Sequence, residues 1–240
     1  MISRFHFPGR LPDAGQFELP EALAHHAVRV LRLRDGEAVV LFDGLGGEAD
    51  ATLVLEGRRV SARLGARRDT ERESPLQVVL VQALAAGDKM DWVVQKAVEL
   101  GVSAIQPVQA ERSVLRLAGE RADKRVAHWQ QVAVAACEQC GRNRIPELRA
   151  LQPVTHWLAA HRDALNYVLA PGGAASFGEE AAPQGTVHLL VGPEGGWSDA
   201  EMAAFDAAGC RRVRLGPRVL RTETAGLAAI AALQARWGDF

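Results

Sequence analysis

Two short stretches hold the residue types best suited to chemistry. Residues 190–201 read LVGPEGGWSDAE, and residues 215–226 read LGPRVLRTETAG. In each, an apolar strand-like run ends in glycine and proline, with polar Glu194, Arg221, Thr222 and Glu223 set around the turns. Three glycines at the first turn discard side-chain packing and cost conformational entropy on folding, where a plain turn needs one or two. Such a loop is expected where something approaches the backbone closely. Pro193 and Pro217 stiffen the loops, since each fixes its own φ and removes one donor. A rigid, glycine-lined slot suits a flat, mostly neutral group such as an adenine ring. No lysine stands nearby in the sequence, so a polyphosphate is not the expected ligand. No serine, cysteine or histidine assembles a nucleophilic triad.

Other motifs lead elsewhere. GLGGEA (44–49) satisfies G-x-G-x-x-A and follows a strand-like AVVLF, but DATLVLEG comes next, another strand. A dinucleotide site needs a helix there to hold the pyrophosphate, so this is a hairpin turn. No G-x-x-x-x-G-K-[ST] occurs. The CEQC of 137–140 has no second cysteine pair to complete a structural zinc site and is expected to be two packed thiols. His25 and His26 lack a third metal ligand and belong on a solvated helix face; no metal is expected. The neighbours Glu138, Gln139 and Arg142 either orient a substrate or partner subunit or cap a helix end.

The elements that position these residues fall into two parts. From Glu37, short β-rich runs alternate with glycine turns, the pattern of hairpins in a small barrel or sandwich. RRDTERES (67–74) reads as a charged linker, which divides the chain into domains 1–72 and 73–240. Beyond Pro75 strands and helices alternate, implying a mainly parallel sheet covered by helices. Asp88 is a candidate N-cap and Gly101 a C′ glycine for one helix; a long helix is expected over 119–139. Ser198 and Glu201 form an S-x-x-E capping box, and the last helix is entered through Thr222 or Thr224. Both glycine loops then leave the carboxyl ends of strands, where ligands bind in open α/β sheets.

The chain has 240 residues and a net charge of −1, so any nucleic-acid contact must come from local basic patches. Five arginines and no acid lie between Arg211 and Arg221. In the first domain, Arg4, Arg29 and Arg32 are candidate phosphate contacts, with Arg34 and the run Arg58, Arg59, Arg63, Arg67 and Arg68 nearby. Three cysteines and no apolar run of roughly 18 residues point to a reducing compartment, the cytoplasm.

LLVGPEGGWSDAE followed by LGPRVLRTETA resembles the ribosomal RNA small subunit methyltransferase E family of the SPOUT superfamily. DKMDWVVQKAVELGV (88–102), ERSV (111–114), ACEQCGRNRIPEL (136–148) and HHAVRVLRLRDGE (25–37) extend the resemblance over nearly the whole chain. Cys140 departs from it, at a position where serine is common. The resemblance implies a PUA-like N-terminal β-barrel that binds RNA and a C-terminal trefoil-knotted α/β domain. It also implies a homodimer and the cofactor S-adenosyl-L-methionine, with methyl transfer to N3 of a uridine in 16S ribosomal RNA or the small ribosomal subunit. By position it assigns the cofactor to Leu169, Gly192, Glu194, Gly196, Leu215, Gly216, Leu220, Arg221, Thr222 and Thr224. Arg221 would stabilise charge on the uracil oxygens and Glu223 would accept a proton, unless the two are structural ion-pairing groups. A nucleotide-dependent oxidoreductase and a non-catalytic RNA-binding protein are the rival readings.

Overall fold

The computed structural model describes residues 2–173, 177 and 182–240. Its contacts divide the chain into two units, Met1–Glu73 with Cys137–Ile145, and Ser74–Ala136 with Pro146–Phe240.

The first unit is a five-stranded sheet of β1 (Ser3–His6), β2 (Gln16–Glu18), β3 (Ala38–Phe42), β4 (Glu48–Glu56) and β5 (Arg59–Arg68), in the order β1-β3-β4-β5-β2. β3 and β4 pair antiparallel, so GLGGEA is the hairpin turn that its sequence context demanded. Phe5, Val39, Leu41, Ala51, Leu53 and Ala62 form the core with Leu23 and Ala27 of the helical segment between β2 and β3. That segment begins as α1 (Glu21–His25) and widens into a π-turn over His26–Val30.

Residues 67–74 are not a solvated linker. Arg68 pairs with Glu48 and Asp50, Glu71 with Arg144, Arg72 with Glu48, and Glu73 with Arg142, while Asn143 donates to the Thr70 carbonyl. The partners come from β4 and from 142–144. This is why Cys137–Ile145 belongs to the first unit although the sequence reading kept it with the second domain. Arg142, 4% exposed, and Glu138, whose carboxylate accepts the His6 amide, do structural work here. Cys137 is a buried thiol, pushed up to about 12 by that burial, and all three cysteines are free.

The second unit is a parallel sheet in the order β12-β10-β11-β6-β7-β8, with a short β9 also paired to β7. These strands are β6 (Val78–Ala83), β7 (Ala104–Gln109), β8 (Glu147–Leu148), β9 (Gln152–Pro153), β10 (Leu165–Leu169), β11 (Val187–Val191) and β12 (Arg211–Val213). The helices are α2 (Lys89–Glu99), α3 (Glu120–Cys140), α4 (Val154–Ala160), α5 (Asp199–Ala207) and α6 (Thr222–Trp237). Every residue of β6 and β11 is buried, as expected of strands covered on both faces. Ser198 caps α5 in a reciprocal box with Glu201, and Glu201 also accepts the Glu111 amide at 2.8 Å. α6 starts at Thr222. Because β6, β10, β11 and β12 run parallel, the segments after Ala83, Leu169, Val191 and Val213 all leave the same edge of the sheet.

Candidate active site

At that edge lies a cavity of about 690 Å³, within the range of small-molecule sites. Leu169, Gly192, Glu194, Gly196, Leu215, Gly216, Leu220, Arg221 and Thr222 all line it. Thr224 does not: it is exposed, two residues into α6, where the helical turn carries its side chain away from the face that Thr222 presents. Glu223 is also outside the lining.

The three glycines of the first loop have separate causes. A methyl group on Gly192 would meet the Trp197 ring at 3.2 Å, and one on Gly195 would meet Arg112 at 3.0 Å. Gly196 has φ +68° and nothing within 4 Å of where a Cβ would stand. Only Gly196, then, leaves bare backbone against open space; the other two make room for the protein itself. The segment around Arg112 braces the loop from outside, since its guanidinium donates to the Trp197 carbonyl at 3.1 Å.

Thr222 ties the second loop to the first. Its hydroxyl donates to the Gly192 carbonyl at 2.5 Å and accepts from Gln82 Nε2 at 3.0 Å. Gln82, on β6, is fully buried, and its Oε1 has no hydrogen-bond partner. Sequence reasoning missed Gln82, although a lone amide in an all-buried strand was a usable signal, because buried polar groups need partners.

Lys89, the first residue of α2, was missed as well, and it corrects the expectation of a site without lysine. It lines the cavity with its Nζ 3.0 Å from Glu194 Oε1 and 3.5 Å from Glu223 Oε2. Partial burial works to raise the Glu194 carboxyl, but hydrogen bonds from the backbone, including the Ala86 amide, and from Lys89 hold it below its ordinary value. Lys89 is raised, chiefly by its hydrogen bond to Glu194.

The arginines sort themselves by partner. Arg212 pairs with Asp206. Arg214, Arg218 and Arg221 are exposed at the cavity, and among the described residues no carboxylate pairs with them. In the first unit Arg29 and Arg32 are exposed, Arg32 at φ 57°. Arg4 is a correction. Its side chain is 14% exposed, pairs with Glu48 and donates to Asn143, so its charge is spent inside the unit rather than offered to phosphate. Among the described residues no cluster of three metal-binding side chains occurs and no helix is long and apolar enough to cross a membrane.

The profile of an RNA methyltransferase domain matches residues 72–234, and that of an RNA methyltransferase PUA domain matches residues 19–63. Together with the parallel sheet and its glycine-loop cavity, these define an RNA methyltransferase with an N-terminal PUA domain. Among similar proteins, ribosomal RNA small subunit methyltransferase E of Bacillus subtilis is 33% identical over 93% of this chain and 91% of its own. That of Mycobacterium tuberculosis is 35% identical over 99% and 94%. The crystal structure of a ribosomal RNA small subunit methyltransferase E from Neisseria gonorrhoeae bound to S-adenosyl methionine superposes with a TM-score of 0.91 at 40% identity, with both chains fully covered. The chain belongs to the ribosomal RNA small subunit methyltransferase E family. The oxidoreductase reading falls with that finding.

Proposed function

We propose that this protein transfers a methyl group from S-adenosyl-L-methionine to N3 of a specific uridine in 16S ribosomal RNA, as free RNA or in the small subunit. The observation that carries the reading is the single cavity in which both glycine loops meet. Its residues fit the cofactor. Leu169, Leu215 and Leu220 offer apolar walls to a flat base, Gly196 leaves open space beside bare backbone, and Arg214, Arg218 and Arg221, with no carboxylate partner among the described residues, stand ready for a carboxylate or phosphate.

Bound there, S-adenosyl-L-methionine supplies a sulfonium methyl already activated for transfer, so the chain needs no nucleophile. What the protein must do is align the acceptor and manage the charge of the N3 proton. Arg221 is the group proposed to stabilise negative charge on the uracil oxygens. Glu223, the candidate proton acceptor, stands outside the cavity lining, which favours the structural ion-pair reading of it over proton transfer. Its Oε2 is buried without a hydrogen bond and faces the Lys89 ammonium. Arg29 and Arg32 are the proposed RNA contacts of the first domain, over residues 1–72.

The same reading includes a trefoil knot at the two loops, a cytoplasmic workplace and a homodimer formed through the second domain. In support of the dimer, α6 is apolar well beyond its buried stripe of Gly226, Ala229, Ile230 and Leu233, with Ala232 and Ala235 exposed. A helix apolar on most sides calls for further cover. The decisive experiment incubates the protein with methyl-labelled cofactor and small subunits or 16S ribosomal RNA, then identifies the labelled nucleoside by mass spectrometry. N3-methyluridine is expected. Label on another atom, or none, overturns the assignment.

A further inference from the structure

We infer that Lys89 is a positioning residue of this site, whose ammonium joins the first glycine loop to the first turn of α6 by holding the carboxylates of Glu194 and Glu223. The inference rests on the methyltransferase reading for its consequence in catalysis, but the clamp itself stands on geometry. Lys89 Nζ lies 3.0 Å from Glu194 Oε1 and 3.5 Å from Glu223 Oε2, two groups 29 positions apart, the first in a glycine loop of the cavity and the second in the first turn of α6. The same Glu194 oxygen accepts the Ala86 amide at 3.0 Å, so the turn before α2 grips it too. Among the described residues Glu223 Oε2 has no hydrogen bond, and the Lys89 ammonium is the charge that faces it.

Two features show that this cation serves the carboxylates rather than its own helix. Lys89 opens α2, the end where a helix dipole disfavours positive charge. Lysine is also rare here: Lys89, Lys96 and Lys124 are the only ones among 28 basic residues. A compact ammonium on a flexible stem can sit between two carboxylates, where a planar guanidinium would impose its fork. The charged groups that share the cavity with Glu194 are Lys89 from α2 and Arg212, Arg214, Arg218 and Arg221, with Glu223 of α6 facing Lys89. Of these, Lys89 is in contact with Glu194.

The test compares wild type, Lys89→Met and Lys89→Arg as full-length protein. In ligand-free samples, carbon-detected NMR follows the Glu194 carboxyl through acid titration. Its midpoint should rise in Lys89→Met and return most of the way in Lys89→Arg. In methylation assays Lys89→Met should raise KM for S-adenosyl-L-methionine about tenfold and lower kcat severalfold, with Lys89→Arg between it and wild type. Equal Glu194 titrations in wild type and Lys89→Met overturn the clamp. A moved titration with unchanged KM and kcat overturns its positioning role. If wild type transfers no methyl group, the functional reading fails while the titration still decides whether the clamp exists.

Discussion

Removing one hydroxyl should loosen both glycine loops. Thr222→Val keeps the shape and β-branching of the side chain and deletes Oγ1, which is 2.5 Å from the Gly192 carbonyl and 3.0 Å from Gln82 Nε2. Thr222 is 6% exposed and Gln82 is fully buried, so water cannot readily replace the lost partner. Gln82 Nε2 retains the Ala83 carbonyl at 2.9 Å, whereas Gly192 loses the hydroxyl that holds it. One buried polar group left unsatisfied costs about 1–3 kcal/mol. For a unit of this size each kcal/mol lowers the melting temperature by about 2–4 °C. A loss of about 2 kcal/mol, roughly 4–8 °C, is therefore expected. Thr222→Ser keeps both hydrogen bonds and forfeits a methyl group, about 0.8 kcal/mol. All five tryptophans lie in the second unit, so urea denaturation followed by their fluorescence reports on that unit. A valine variant within about 0.5 kcal/mol of wild type, or a serine variant that costs more than valine, would refute the assignment of Thr222 as the tie between the loops.

Gly196→Val places a β-branched residue at φ +68° and fills the open side of the slot; the strain is about 1–2 kcal/mol. Cofactor binding should vanish in calorimetry while the circular dichroism stays that of wild type, and normal binding would place the pocket elsewhere. Arg221→Ala should keep the fold and most cofactor affinity but slow single-turnover methyl transfer by roughly 10²–10³, the typical loss for one preorganised donor. A rate within about threefold of wild type would make Arg221 structural. His188 is held down to about 4, first by burial and then by the nearby His161 and Arg149 charges. It is neutral in the folded protein and takes up a proton more readily when unfolded. Its contribution is thus present above the unfolded value of 6.5 and is lost as pH falls toward 4, up to about 3 kcal/mol in all. His188→Leu should flatten the decline in stability between pH 6.5 and 4, and an unchanged slope would assign that decline to other groups.

Local pattern carried much of the fold. The hairpins of β3, β4 and β5 were legible in glycine-punctuated β-rich runs, and α3 lies within one residue of its expected span. The capping box before α5 was legible because both partners sit within four residues. What failed was long-range charge. Counting charges in 67–74 describes a solvated tether only if no counter-ion waits elsewhere, and Glu48, Arg142 and Arg144 were waiting. Arg4 failed for the same reason: a surface arginine and an arginine neutralised by Glu48 have the same letter.

The site divides along the same line. Glycine and proline at strand ends point to loops, and a parallel sheet then brings those loops to one edge whatever the side chains are. The causes of the individual glycines are not in the letters, since a ring at Gly192, a crossing chain at Gly195 and a left-handed backbone at Gly196 all select the same residue. The side chains that fix the loops enter from β6, from α2 and from the segment around Arg112, 85 to 140 positions away for the bonds they make. Two of them nevertheless left a physical trace. Gln82 is an amide in a strand buried throughout, and Lys89 is a cation at the start of a helix. Each is unfavourable where it stands unless something answers it. A residue that its own element disfavours is held there by a partner from another, and here both partners are loops of the same cavity.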